Sequence, residues 1–242
     1  MIRWRVLPDE RIELYSPVGL RLIDDFTGRS PLGWVRAQLE LRDDSGNWRV
    51  TEVETKSTLS GMLAYPRLER HAEVVGRPPR RYRVKLQAEF YRAAYRLISA
   101  GPVFEPPFYR ETADGIEFDA FPYNDAAPPT DYTVNPPVEI SLQARDVMLV
   151  PAVNYPFPTH VRILRGQVID ASNRPVVDAE VRRSNTERGS SGAQGAFALP
   201  LRWAPNAEPI AIDAIDRHSG RMGTIIITLP QALSRSQTIT VS

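Results

Sequence analysis

Residues 165–201 read RGQVIDASNRPVVDAEVRRSNTERGSSGAQGAFALPL. Apolar residues alternate with polar or small ones in RGQVID at one end and GAFALPL at the other. That period of two marks a strand with one face in a core and the other in water. Asp170 and Asn173 suit a tight turn, because short polar side chains bond locally to the backbone. Pro175 has no amide hydrogen to give to a central ladder. The stretch therefore predicts strand, aspartate-led turn, proline, strand, loop and strand.

An earlier stretch, STLSGMLAYPRL at 57–68, resembles the end of this one. Aligning Gly61 with Gly195 brings Leu63 onto Phe197, Ala64 onto Ala198, Tyr65 onto Leu199 and Pro66 onto Pro200. Upstream, Ile23-Asp24 falls on Ile169-Asp170, and Pro31, Val35 and Ala37 fall on Pro175, Ala179 and Val181. The chain reads as an internal repeat of one β unit, the first copy having the longer middle.

Outside the repeat the period-two pattern continues in WVRAQLEL (34–41), NWRVTEVET (47–55), RYRVKLQAEF (81–90), GIEFDAF (115–121), VEISLQ (138–143), PIAIDAI (209–215), GTIIITL (223–229) and QTITVS (237–242). AEFYRAAYRLISA (88–100) has the one helix-like composition, but its surroundings favour a continuing strand and turn. Proline-rich tracts at 101–109, 121–137 and 151–158 interrupt the strands, and the last is the predicted linker. Many short strands with turn signals predict an all-β protein of stacked sheets.

Gly166, Val168, Asp170, Pro175, Ala179, Val181, Gly195 and Phe197 match a pattern found in the carboxypeptidase regulatory-like domain. Residues 161–230 resemble that family, and 18–95 resemble it more loosely; Asn173 stands where the family has a turn glycine. The resemblance implies a transthyretin-like, seven-stranded sandwich and says little about activity, because such domains are appended to unrelated proteins. The fold expectation is thus two tandem β-sandwich domains, Ig-like or transthyretin-like, at 1–155 and 160–242. The whole arrangement is also similar to accessory proteins of contractile, phage-tail-like injection systems.

The 242 residues carry a net charge of +1 and no cysteine. Near-neutrality argues against nucleic acid as the partner. The missing thiol excludes disulfides, thiol catalysis and cysteine-held metals. MIRWRVLPDERIELY has charges where a secretory signal needs an apolar run, and no stretch approaches the ~20 apolar residues of a membrane helix. Cytoplasmic synthesis without membrane insertion is expected, with later incorporation into an extracellular or phage-like particle. His71, His160 and His218 have no neighbour at ligand spacing and read as solvated loop residues. RGSSGAQG (188–195) lacks the Lys-Ser/Thr ending of a phosphate loop and reads as a loop feeding a strand. Asp43-Asp44 and Asp24-Asp25 offer oxygen ligands, but a tight turn accounts for them. Residues 86–242 contain no lysine, so no Lys–Asn isopeptide can form there. No cofactor, metal or catalytic set is nominated, and the chain is expected not to be an enzyme.

Charge is segregated along the chain. Arg77, Arg80, Arg81, Arg83, Lys85, Arg92 and Arg96 face Glu89 alone within 77–96. Glu105, Glu111, Asp114, Glu117, Asp119, Asp125, Asp131 and Glu139 face Arg110 alone within 105–139. Interleaved tyrosines allow a nucleic-acid reading of the basic run. Charged outer faces of strands with aromatic inner ones are the favoured account over nucleic-acid binding, and a head-to-tail interface between copies is a third reading. Phe108, Tyr109, Tyr123, Tyr132, Tyr155 and Phe157 lie in long tracts that either bind a partner or pack over their own sandwich. With Glu105, Asp114, Glu117, Asp119 and the basic residues they form the candidate interface. The expected function is a structural component docking onto a protein scaffold, and onto copies of itself. The alternative is a carbohydrate- or protein-binding envelope module using Trp34, Trp48 or Trp203.

Overall fold

The computed structural model describes residues 15–93, 109–112, 114–140 and 144–242. Among these residues the architecture is all-β. The strands up to Pro151 are β1 (Gly19–Asp24), β2 (Val35–Arg42), β3 (Trp48–Val50), β4 (Lys56–Ser57), β5 (Met62–Ala64), β6 (Arg80–Ala88), β7 (Tyr91–Ala93), β8 (Tyr109–Thr112), β9 (Gly115–Ala120), β10 (Thr130–Asp131), β11 (Val138–Glu139) and β12 (Ala144–Pro151). Then follow β13 (Ile163–Asp170), β14 (Glu180–Ser184), β15 (Glu187–Ser190), β16 (Ala196–Pro200), β17 (Pro209–Ile215), β18 (Met222–Thr228), a 3-10 turn (Gln231–Ser234) and β19 (Gln237–Val241).

In the first sandwich the sheet β4-β5-β1-β12-β7 faces the sheet β3-β2-β6-β9-β8, with a small β10-β11 ribbon beside them. In the second, β16-β13-β19 faces β15-β14-β17-β18. The repeat seen in the sequence is a repeat of topology. β1 is antiparallel to β5 and parallel to β12, as β13 is antiparallel to β16 and parallel to β19. β3-β2-β6-β9 recurs as β15-β14-β17-β18, antiparallel throughout. The register agrees as well. Leu20, four residues before Asp24, pairs with Leu63, and Gly166, four before Asp170, pairs with Phe197. Alternate residues of these strands meet in two clusters of buried side chains. One is centred on Leu20, Val84, Ile116 and Leu149, the other on Leu164, Val181, Phe197 and Ile212.

Aspartates build the turns. Asp43 and Asp170 each accept backbone hydrogen bonds from the second and fourth residues onward, at 2.8–3.0 Å, while Gly46 and Asn173 take the left-handed conformation. DDFTGR (24–29) and DRHSGR (216–221) form a second, longer type. In each, Oδ1 of the aspartate accepts the amide two residues on, and Oδ2 accepts the Thr27 or Ser219 hydroxyl. The amide of the next residue, Gly28 or Gly220, returns to the aspartate carbonyl at 2.7 Å. Both glycines have φ near +70°, a region that costs a residue with a Cβ about 1–2 kcal/mol. Oδ1 of Asp43 and both carboxylate oxygens of Asp24 are thus engaged in their own turns, and Oδ2 of Asp24 also accepts the Tyr155 hydroxyl.

Several expectations need correcting. The strand predicted at 47–55 stops at Val50, after which Thr51 bonds back to the Leu39 carbonyl through both its amide and its hydroxyl. Residues 188–190 of the supposed loop belong to strand β15, which begins at Glu187. Its polar composition is tolerated because its neighbours bond inward: Glu187 is fully buried and accepts the Trp203 amide, and Ser191 Oγ bridges Val176 and Ala179. β12, unmarked in the sequence, is a central strand between β1 and β7. Of the helix-like segment, Ala88 ends β6, Glu89 and Phe90 bend, and Tyr91–Ala93 form β7 in the other sheet, a strand and turn as expected; residues 94–100 lie outside the described residues.

Candidate functional site

The basic and acidic runs meet inside the chain. β6 and β9 are neighbours, with Arg81 opposite Asp119 and Arg83 opposite Glu117. Arg81 grips Asp119 with two hydrogen bonds of 2.8 Å. Arg83 and Glu40 form a buried pair at 2.6 Å, which Lys85 joins at 3.1 Å and Asp114 approaches at 3.6 Å. The Trp48 ring covers the Arg83 guanidinium at 4.4 Å. Burial pushes the Glu40 carboxyl upward, but hydrogen bonds from Arg83 and Lys85 outweigh it and hold the group below its ordinary range. Arg80 reaches Glu69, and Arg92 reaches Asp178 in the second sandwich. Arg77 lies exposed in a turn. Arg96, Glu105 and Phe108 lie outside the described residues, and Tyr109 is placed on β8 by its backbone.

The aromatic candidates divide in the same way. Tyr123 is buried and its hydroxyl donates to the Tyr15 carbonyl. Tyr132 is half-buried after β10. Tyr155 is buried, with its hydroxyl on Asp24 at 2.8 Å and its ring against Phe26, Tyr91 and Phe157. Burial first, and then the Asp24 carboxylate, raise the Tyr155 hydroxyl far above its usual range. The linker thus packs onto the first core.

Around it the two sandwiches are joined by residues that sequence reasoning did not single out for this role. Arg188 on β15 holds Asp25 through two hydrogen bonds of 2.6 and 2.8 Å. Arg202 donates to the Phe26 carbonyl at 2.8 Å while lying over the Phe26 ring. Arg217 pairs with Glu180 and reaches the Ala93 carbonyl. The one trace of this seam in the sequence is the doubled aspartate, Asp24-Asp25. Its first carboxylate serves the turn and its second the neighbouring sandwich.

Two places gather ionisable groups. A cleft of about 260 Å³ at the seam is lined in part by Lys85, Arg92, Asp114, Asp178, Arg217 and His218. Its lysine and arginines bond to Glu40, Asp178 and Glu180, so the cleft is bordered by closed ion pairs. The other is Glu69, buried and left-handed at φ 60°. It accepts the Tyr82 hydroxyl, lies 2.8 Å from His71 Nε2 and is approached by Arg80. The expectation of a solvated His71 is corrected: its side chain is 28% exposed and tied to this carboxylate. Burial and Glu69 together raise the Tyr82 hydroxyl well above its ordinary range. Each group is held by its neighbours, an arrangement that fixes a loop. Among the described residues no three histidines, aspartates or glutamates are grouped to hold a metal, and no helix is long and apolar enough to cross a membrane.

No protein-family model matches the sequence, and no curated protein matches it. Two solved structures share a remote likeness. The TIE protein of Bacillus anthracis is 9% identical over 94% of this chain and 33% of that one, with a TM-score of 0.24. BcpA, the major pilin subunit of Bacillus cereus, is 8% identical over 93% of this chain and 68% of that one, with a TM-score of 0.26. The chain spans about a third of the TIE protein's length. At these scores neither likeness bears on function.

Proposed function

We propose that the chain is a non-enzymatic structural component that docks onto a larger protein particle of the contractile, phage-tail-like kind. The observation that carries this reading is the seam. Arg188 holds Asp25 in a bidentate, largely buried pair, and Arg202 lies over the Phe26 ring, which itself packs on Tyr155 and Phe157. Domains of one chain move relative to one another unless their contact is extensive and well packed. A locked junction suits a part that transmits force or holds a fixed spacing. The charges of β6 and β9 neutralise one another, so docking falls to strand edges, exposed apolar residues and loops.

The test is co-sedimentation of the full chain with particles assembled from the tube, sheath and baseplate proteins made by the same cells. The chain is expected in the particle fraction, and its deletion is expected to leave incomplete particles. A chain that stays at the top of the gradient, with particles complete in its absence, overturns the reading. One observation favours the envelope-module alternative: Trp203 is 70% exposed and presents an aromatic face on which a sugar ring could stack. Glycan binding abolished by Trp203→Ala would favour that alternative.

A further inference from the structure

β18 is the outer strand of its sheet and pairs with β17 alone. The matching strand of the first sandwich, β9, carries β8 on that side, antiparallel, with Arg110 opposite Glu117 and Thr112 opposite Gly115. The same chain therefore shows that a further antiparallel strand fits at this position. At β18 the position is empty among the described residues. Its first two residues are closed off by the end of β19. Ser242 donates its amide to the Met222 carbonyl, and a Cβ on Gly223 would lie 2.0 Å from the Thr240 oxygen.

In an antiparallel strand, alternate residues turn both backbone polar groups to the same side. The Met222 oxygen points away from β17, so the amides and carbonyls of Thr224, Ile226 and Thr228 point away as well. The open edge is Thr224-Ile225-Ile226-Ile227-Thr228. It carries none of the lysines, prolines or bulges that normally blunt such edges. Ile226 is 74% exposed on the outer face.

These five residues read the same in both directions. Antiparallel pairing with a second copy, centred on Ile226, places Thr224 opposite Thr228 of that copy. Ile225 then stands opposite Ile227 on the core side, and Ile226 opposite itself outside. No charge meets a like charge, and an interface that matches itself about a two-fold axis is what symmetric dimers require. We propose that the β18 edge is a homodimer interface, in which β18 of a second copy continues the four-stranded sheet across a two-fold axis. It forms about six backbone hydrogen bonds. A short edge buries less than the roughly 1,000 Å² of a durable interface, so the dimer dissociates on dilution. This goes beyond docking onto a particle and holds whether or not that reading does.

The test is sedimentation of the full chain over a dilution series at low and high salt. The mass is expected to approach twice 27.2 kDa as concentration rises, equally at both salts, because β18 carries no charge. Ile226→Lys sets two like charges face to face and is expected to give monomer with an unchanged thermal midpoint. The chain has no cysteine, so Ile226→Cys carries a single thiol. Cα atoms about 5.5 Å apart in a hydrogen-bonded pair lie within disulfide reach, and oxidation should link the copies. Thr224→Cys, roughly 13 Å from its counterpart, should not. A wild-type chain monomeric at every concentration, a dimer indifferent to Ile226→Lys, or equal cross-linking through position 224 overturns the proposal.

Discussion

At the heart of the second sandwich Gly166 stands opposite Phe197; at the matching place in the first, Leu20 stands opposite Leu63. A Cβ on Gly166 would lie 2.6 Å from the Phe197 ring and 2.2 Å from the Gln237 carbonyl. One pair fills the space with a ring against bare backbone, the other with two leucines. Interiors conserve volume rather than residue identity, so one topology is reached with little shared sequence. The sandwiches also differ in what joins corresponding strands. β17 and β18 are linked by the six-residue Asp216 turn, whereas the chain leaves β6 at Ala88 and returns at Gly115, adding β7 and β8 on the way. The first sandwich thereby covers an edge that the second leaves open.

The largest effect that sharpens this comparison is expected from Phe197→Ala. Removing the ring leaves a void against Gly166 that no side chain can fill, costing about 3–5 kcal/mol in denaturant unfolding. Leu63→Ala, at the half-buried counterpart, should cost about 1–2 kcal/mol. Equal losses would mean that the two pairs are not equivalent. Arg188→Ala comes next. It leaves the Asp25 carboxylate, 7% exposed, without its main partner, at a cost of about 3 kcal/mol. The expected sign is a separate, lower melting transition for one sandwich in calorimetry; a single unshifted transition would mean the seam does not couple them.

The smallest effect concerns acid. In the folded chain the Asp170 carboxyl is held below its ordinary 3.8, chiefly by the Arg174 amide. Asp216 is also held low, burial being outweighed by hydrogen bonds from Ser219 and the His218 amide. A group whose folded value is depressed stabilises fully above its unfolded value, and that stability is lost as pH falls through the folded one. Thermal midpoints should therefore be level down to roughly pH 5 and fall below about pH 4. Asp170→Asn and Asp216→Asn should each flatten the acid limb, and a limb unchanged in both variants would show that other groups set it.

Much of the fold could be read in advance. β2, β17, β18 and β19 lie within a residue of their predicted bounds, because each has one buried face and therefore a period. β12 and β15 escaped for opposite reasons. β12 opens with Ala144-Arg145-Asp146 and then runs apolar on both faces, since it lies between two strands under a core. β15 is polar, and becomes a strand only because Arg183, Trp203 and Asp25 supply partners from elsewhere. The DxxTG and DxxSG turns stand in the sequence as matching motifs at Asp24 and Asp216, whereas the internal repeat aligns Asp24 with Asp170.

The sequence by itself determined that this is a β protein built twice on one plan, because alternation, turn aspartates and left-handed glycines are local properties of neighbouring residues. Tertiary structure decided which surfaces remain for work. Whether Arg81 seeks a partner or already has Asp119, whether Tyr155 faces outward or rests on Asp24, and which strand keeps an open edge all depend on residues far apart in the chain. Such partners are chosen by packing, which no local pattern records.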